Sequence, residues 1–388
     1  MRKVYFDHNA TTPVHPAAAA YVKAFFGDLL GNPSSLHWAG REARTYLDEA
    51  RTQVARMIKA SPSEIVFTSG ATEADNQAVM GVAHAMSGRG NHIITTRVEH
   101  PAVLNTCAFL EGKGYSVTYL DVDGHGIVDP GDVRRAIRKD TILISVMHAN
   151  NETGTLLPIK EIGRFARDAG VIFHSDMVQG MGKIDIDVGD LNVDLGAFSG
   201  HKVYAPKGVG ALYVRKGVEI ENLIHGGHQE MGRRGGTENM IGIAAFGKAC
   251  EAAMDDMAEQ RSTMEFLRTR LLEGLISRIE HVRLNGDQTR RLPNTLNLSF
   301  EFVEGESLLI GLDLAGIAVS SGSACSSGST EPSHVLLAMG IEPRVCQSAI
   351  RMSLGRENTE EDIEYALQVI PEVVGRLRAM SPLYKRKL

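Results

Sequence analysis

Short, almost wholly apolar runs alternate with longer helical patterns from about residue 60 onward. Together they predict an α/β fold with a mostly parallel central sheet, because such runs suit strands covered on both faces and joined by right-handed crossovers. A second, shorter series of strand and helix candidates follows a long helix-rich stretch. It predicts a smaller α/β domain at the C-terminal side.

The elements are expected in this order. "EIVFTS" reads as a strand, and "ATEADNQAVMGVAHAM" as a helix that begins just after Gly70. "HIITT", "SVTYLDV" and "TILISVM" read as strands, separated by the helical "HPAVLNTCAFLEGKG" and "DPGDVRRAIRK". After the helix "IKEIGRFARDAG" come the strands "VIFHSDM", "VDLGAFS" and "GALYVRK". The helix-rich run beginning "MIGIAAFGKACEAAM" crosses a boundary near residue 255. Beyond it lie the strand candidates "NTLNLSF" and "IAVSSG", then "SAIRMSLG" and a last helix. Thr359 and Asp362 form the capping box of that helix. The expected division is a large domain over residues 16–255 and a small one built from 1–15 and 256–388.

Composition narrows the class. The 388 residues are 43% hydrophobic, with 40 Gly and 13 Pro, and carry a formal charge of −6 without a basic block. That balance predicts a soluble protein whose main partner is neither nucleic acid nor a membrane. No apolar run reaches membrane-spanning length, and "MRKVYFDHNATTP" lacks the apolar centre of a signal peptide. A cytoplasmic location is expected. The four cysteines, at 107, 250, 325 and 346, make neither a disulfide framework nor a metal pair. No metal site is expected.

Ligands of open α/β sheets lie beyond the carboxyl ends of the strands. "FTSGATE" leads from a strand into a helix whose free N–H groups, beside Thr72, suit an anion, although taken alone the segment reads first as a plain turn. Asp176 ends "VIFHSDM", where a buried carboxylate needs a positive partner or serves as an ordinary cap. Lys202 follows "VDLGAFS" between Ser199, His201 and a glycine-bounded stretch, where a partly shielded amine can form an imine. His100 opens a helix at another strand end, as a stacking group or as a cap. Anion site, buried Asp and imine-forming Lys together are the set that pyridoxal phosphate requires.

The chain resembles the pyridoxal-phosphate cysteine desulfurases of the NifS/IscS group. The landmarks are "VYFDHNATTP", "GNPSSLH", "FTSGATEADN", "EHPAVL", "ANNETG", "FHSDMVQ", "FSGHKVYAPKG", "GRRGGTEN", "SSGSACSSGS" and "IRMSLGRENTEEDI", spread over nearly the whole length. The resemblance implies a fold-type I transferase that converts L-cysteine to L-alanine and passes the sulfur, as a persulfide on Cys325, to an acceptor for iron–sulfur cluster assembly. It makes Lys202 the Schiff-base lysine and His100 the ring-stacking, proton-transferring group. Asp176 would pair with the pyridine nitrogen, and Gln179 with the ring oxygen. Ala71, Thr72, Ser199 and His201 would hold the phosphate, with Thr237 reaching it from the other subunit of a homodimer. Asn151 and Arg351 would receive the substrate, the Arg351 guanidinium pairing with the substrate carboxylate. The alternative is a selenocysteine lyase or another fold-type I lyase or aminotransferase; a thiol at Cys325 argues against the aminotransferase.

Several positions depart from the family pattern: His8, His148, Ser175, Met177 and Gly180. Met177 is the bulkiest, and either touches the cofactor or fills a gap. Cys325 stands in "SSGSACSSGST", within the loop at about 321–333. So few apolar anchors predict a segment that swings between taking sulfur and delivering it.

Overall fold

The structure is a computed structural model that describes residues 2–23, 25, 26, 31–321 and 331–385. Its first strand, β1, is Val4–Tyr5. Seven strands form the central sheet: β2 Ile65–Thr68, β3 His92–Thr96, β4 Ser116–Leu120, β5 Thr141–Ser145, β6 Ile172–Asp176, β7 Leu195–Ser199 and β8 Gly210–Val214. Their order is β2-β8-β7-β6-β5-β3-β4. Neighbours run parallel, except that β8 is antiparallel to both β2 and β7. Every residue of β2, β3, β5, β7 and β8 is buried, which is why these strands read as continuous apolar runs and not as alternating ones.

The helices α1 Pro16–Lys23, α2 Trp38–Met57, α3 Ala71–Ala85, α4 Pro101–Glu111, α5 Pro130–Ala136 and α6 Ile159–Ala169 accompany this sheet. In α6 the buried residues are Ile159, Ile162, Gly163 and Ala166, the spacing of one helical face. α7, Met240–Arg278, is a single 39-residue helix. Its first half contributes Met240, Ile243 and Phe246 to the core beneath the large sheet. Its second half places Leu267, Leu271 and Leu275 in a separate core. One rod therefore serves two cores.

The second core surrounds an antiparallel sheet of β9 Val282–Leu284, β10 Thr295–Phe300, β12 Ser320–Ser321 and β13 Ala349–Ser353, in the order β12-β13-β10-β9. β11, Ile317–Ala318, pairs in parallel with β1, and Val4 and Phe6 are buried in the same core. α8 Gly305–Leu314, α9 His334–Ala338, α10 Pro343–Cys346, α11 Glu360–Met380 and the short α12 Pro382–Lys385 follow in the C-terminal part. The capping box at the start of α11 is present, with both Thr359 and Asp362 engaged.

A buried ion pair fixes how α2 meets the edge of the sheet. Arg51 donates to both carboxylate oxygens of Glu230 at 2.7 Å, and to the Ile65 carbonyl at 2.7 Å. Glu230 also accepts the Phe67 N–H at 2.7 Å, and the guanidinium lies 4.8 Å from the centre of the Phe67 ring. Removing one member strands the other charge in a dry site. Glu230→Ala is therefore expected to lower the unfolding free energy by about 3–5 kcal/mol, as measured by urea denaturation of the unliganded protein.

Candidate active site

The parallel strands all end on one side of the sheet, and that side holds a cavity of about 500 Å³. β2 leads through Gly70 into α3, whose first N–H groups have no intrahelical acceptor. Gly70 supplies no side-chain cap, so Ala71 and Thr72 present their N–H groups at the cavity rim. β8 begins at this edge because it runs antiparallel. A Cβ on Gly210 would come within 2.7 Å of the Gly70 Cα, so only glycine allows the helix start to seat there.

β7 delivers Ser199, and the short turn after it delivers His201 and Lys202. All three line the cavity. The Lys202 Nζ donates to the carbonyls of Asn9 and of Ala10, the latter at 2.7 Å. His201 is close to Thr11 Oγ1, at 3.1 Å. Burial, with Lys202, Lys207 and Lys183 acting the same way, lowers its imidazole to about 4. A neutral His201 can hydrogen-bond an anion without adding charge.

β6 ends on Asp176, which is 5% exposed and accepts the Val178 N–H at 3.0 Å. Burial raises its carboxyl, opposed by His100, that N–H and Lys202. His100 caps α4, its Nδ1 accepting the Ala102 N–H at 3.1 Å. Capping and cavity-lining thus coexist in this one residue. Burial lowers its pKa, while Asp176 pulls it upward.

Gln179, Asn151 and Arg351 complete the wall. Arg351, on β13, donates to the Asn151 carbonyl at 3.0 Å and to Asp7 at 2.9 Å. Its Nε has no partner among the described residues.

The cavity thus brings together Ala71, Thr72, His100, Asn151, Asp176, Gln179, Ser199, His201, Lys202 and Arg351. Thr237 is exposed and does not line it. Cys325 and most of the segment expected to swing lie outside the described residues. An open helix N-terminus, a nucleophilic amine and a buried carboxylate around a cavity of this size could hold a phosphorylated aromatic cofactor with a protonated ring nitrogen.

Several contributors had no sequence signal. Asn9 looked like part of a polar N-terminal run, yet it is 2% exposed and lines the cavity. Asp75, from α3, also faces the cavity, and neither of its carboxylate oxygens has a hydrogen-bond partner among the described residues. Burial, with Asp176 and Glu99 adding repulsion, raises it well above the usual carboxylate range. Its nearest basic neighbour is His174 Nε2 at 3.4 Å, itself lowered to about 3 by burial.

Two departures from the family pattern explain each other. A Cβ on Gly180 would lie 2.9 Å from His148 Nδ1, so the glycine makes room for the buried imidazole. Met177 is fully buried in the main core and is absent from the cavity wall, where Val178 stands instead. It is packing, not a cavity contact. His8 is likewise buried, between the Ser353 carbonyl at 3.1 Å and Glu357 at 3.3 Å.

The sequence model of the aminotransferase class-V family matches residues 4–366. A cysteine desulfurase IscS of Clostridium botulinum is 50% identical over 386 residues, covering 99% of this chain and 97% of its own. One of Methanosarcina thermophila is 50% identical over 98% of this chain and 94% of its own. Among solved structures, a NifS-like protein superposes with a TM-score of 0.91 at 41% identity, covering 97% of this chain and all of the other. SspA, solved in complex with cysteine, gives 0.81 at 38% identity, over 92% of this chain and all of its own.

One neighbouring group makes stability depend on pH. Glu99 is fully buried, accepts the Thr96 hydroxyl at 2.7 Å and the Met147 N–H at 3.0 Å, and is raised to about 8, chiefly by burial. The folded state then binds a proton that the unfolded state releases above about 4.5. Its stabilising effect is full below that value and is lost as pH rises through about 8. Glu99→Gln is expected to flatten this loss, on the order of 3 kcal/mol between pH 5 and 8.5, in thermal unfolding of the unliganded protein. The sequence match over almost the full length and the superposition of the whole fold agree, and the chain belongs to the NifS/IscS cysteine desulfurases of the aminotransferase class-V family.

Proposed function

We propose that the chain converts L-cysteine to L-alanine with pyridoxal phosphate held in this cavity, and that Cys325 takes the sulfur as a persulfide. The observation that carries the reading is the placing of Lys202 in one cavity with the buried Asp176 and the uncapped start of α3. The structure of SspA in complex with cysteine supports cysteine as the substrate.

In this reading the Ala71 and Thr72 N–H groups, Ser199 and His201 would hold the phosphate, and Thr237 would complete the same site in the second subunit of a homodimer. Asp176 would pair with the ring nitrogen, Gln179 with the ring oxygen, and His100 would stack on the ring. When bound, pyridoxal phosphate supplies an electron sink that lets the carbon–sulfur bond of the substrate break.

The chain's own residues do the rest. Arg351 is held between the Asn151 carbonyl and Asp7, so its fork is pre-oriented for the substrate carboxylate. Lys202 Nζ, kept in place by the Asn9 and Ala10 carbonyls, carries protons to and from the substrate carbon. His100 has its pKa lowered by burial, and so serves as a neutral proton acceptor. The Cys325 thiolate attacks the substrate sulfur: a sulfur–sulfur bond forms as the carbon–sulfur bond breaks, and the carbon gains the proton that makes alanine. The outer sulfur then passes to an acceptor, an iron–sulfur scaffold or another thiol-bearing protein. Among the described residues no helix is long and apolar enough to cross a membrane.

Incubation with L-cysteine and a thiol reductant is expected to yield sulfide and alanine in equal amounts. Cys325→Ala should lower sulfide release by about 10²-fold or more while leaving the yellow colour of the bound cofactor. Undiminished sulfide from that variant would overturn the persulfide role. Lys202→Ala should abolish both the visible band of the resting enzyme and turnover.

A further inference from the structure

Lys183 is a buried lysine that the reaction described above does not use. It is 5% exposed, and among the described residues no carboxylate lies within ion-pair distance of it. Burial pulls its pKa down to about 7, with Lys202 and Arg351 acting in the same direction. Behind it lies a small void bordered by His8, Tyr204, Asp256 and Arg356. An amine in such a place is costly unless its N–H groups are satisfied.

Both of its acceptors belong to one residue. Lys183 Nζ donates to the Gln179 carbonyl at 3.1 Å and to Gln179 Oε1 at 3.2 Å. On the other side, Gln179 Nε2 donates to the Asn9 carbonyl at 3.2 Å. A primary amide has one oxygen that accepts and one nitrogen with two N–H bonds. The lysine engages the oxygen, and the Asn9 carbonyl takes one N–H. The second N–H remains for the cavity, which Gln179 lines. A neutral amine still has two N–H bonds for its two acceptors, so the arrangement survives loss of the Lys183 proton.

We propose that Lys183 is a positioning residue that locks the Gln179 amide so that an N–H, and not a carbonyl oxygen, faces the ring oxygen of pyridoxal phosphate. The inference rests on the assignment of Gln179 to that oxygen. Without the lysine only the Asn9 carbonyl opposes turnover of the amide, which would present a lone pair to a negatively polarised oxygen. An N–H donor favours the anionic ring oxygen and so weakens its hold on the proton of the Lys202–cofactor linkage. Loss of the donor has the opposite effect.

The test is a pH titration of the visible absorption band of the cofactor-loaded enzyme, which needs no turnover. Lys183→Met and Gln179→Leu are each expected to raise the midpoint by on the order of 0.5–1 pH unit, and the double variant no further than either alone. Should the methionine variant fail to fold, Lys183→Arg, which keeps the donors, is read instead. A wild-type midpoint there supports the lock and a raised one overturns it. An unchanged midpoint in Lys183→Met, beside a raised one in Gln179→Leu, refutes the lock and leaves the ring-oxygen assignment standing. An unchanged midpoint in Gln179→Leu removes that assignment and the inference with it. Additive shifts in the double variant mean that the lysine acts by its charge, which also overturns the proposal.

Discussion

The site depends on the satisfaction of one buried residue, Asn9. Its carbonyl receives both Lys202 and Gln179. Its side chain donates to the Asn151 carbonyl at 3.2 Å and to Thr295 Oγ1 at 2.9 Å, and accepts from Asn294 at 3.1 Å. The N–H bonds the Ser353 hydroxyl at 2.9 Å. A buried polar group with unmet partners costs more than the same bond contributes when made. Asn9 can therefore occupy this place only if the β6 and β7 ends, β10 and β13 are all correctly arranged. The position of the lysine follows from that requirement. Asp7, two residues earlier, holds Arg351 and accepts the Ser320 hydroxyl at 2.8 Å, extending the same dependence to the start of the Cys325 segment.

Titration behaviour around the cavity follows from dryness more than from pairing. Asp75, Glu99 and Asp176 are all raised by burial, and each of them repels at least one of the other two. Glu152 is also raised, to about 7, against the pull of the Ser333 hydroxyl and Arg351. Burial favours the neutral form of each of these carboxyls, and at Asp176 the cationic forms of His100 and Lys202 oppose it, as any positive group placed in the cavity beside it would. The neutral tendency of His100 and His201 belongs to the same environment.

The strands of the large sheet were legible because covered strands have no polar face, and the apolar runs end where the sheet ends. The direction of β8 was not, since "GALYV" is equally apolar either way along the sheet. Residues at strand ends, such as Asp176 and Lys202, announced themselves by a charge where the fold concentrates ligands. Asn9 and Lys183 gave no such warning: a lysine is usually solvated, and an asparagine in a polar run usually turns a loop. Asn9 matters through contacts across more than a hundred residues, and Lys183 through its burial beside Gln179, four residues earlier; periodicity carries neither. The exchange between His148 and Gly180 was visible as two separate oddities, and only their proximity made them one. Thr237 is exposed and stands apart from the cavity wall, so the role expected of it rests on the resemblance alone.

Chain order has a consequence for how the enzyme is made. β2, which leads into the helix start at the cavity rim, pairs only with β8 among the strands of its sheet, some 145 residues later. Asn9 and Asp7 wait longer, for partners at Thr295, Arg351 and Ser353. During synthesis the middle strands can assemble first, because β5, β6 and β7 join sequential neighbours. The catalytic end of the sheet closes last, when most of the polypeptide has left the ribosome. A nascent chain therefore has no closed cavity around Lys202, and any ligand of that cavity must wait until the fold around it is complete.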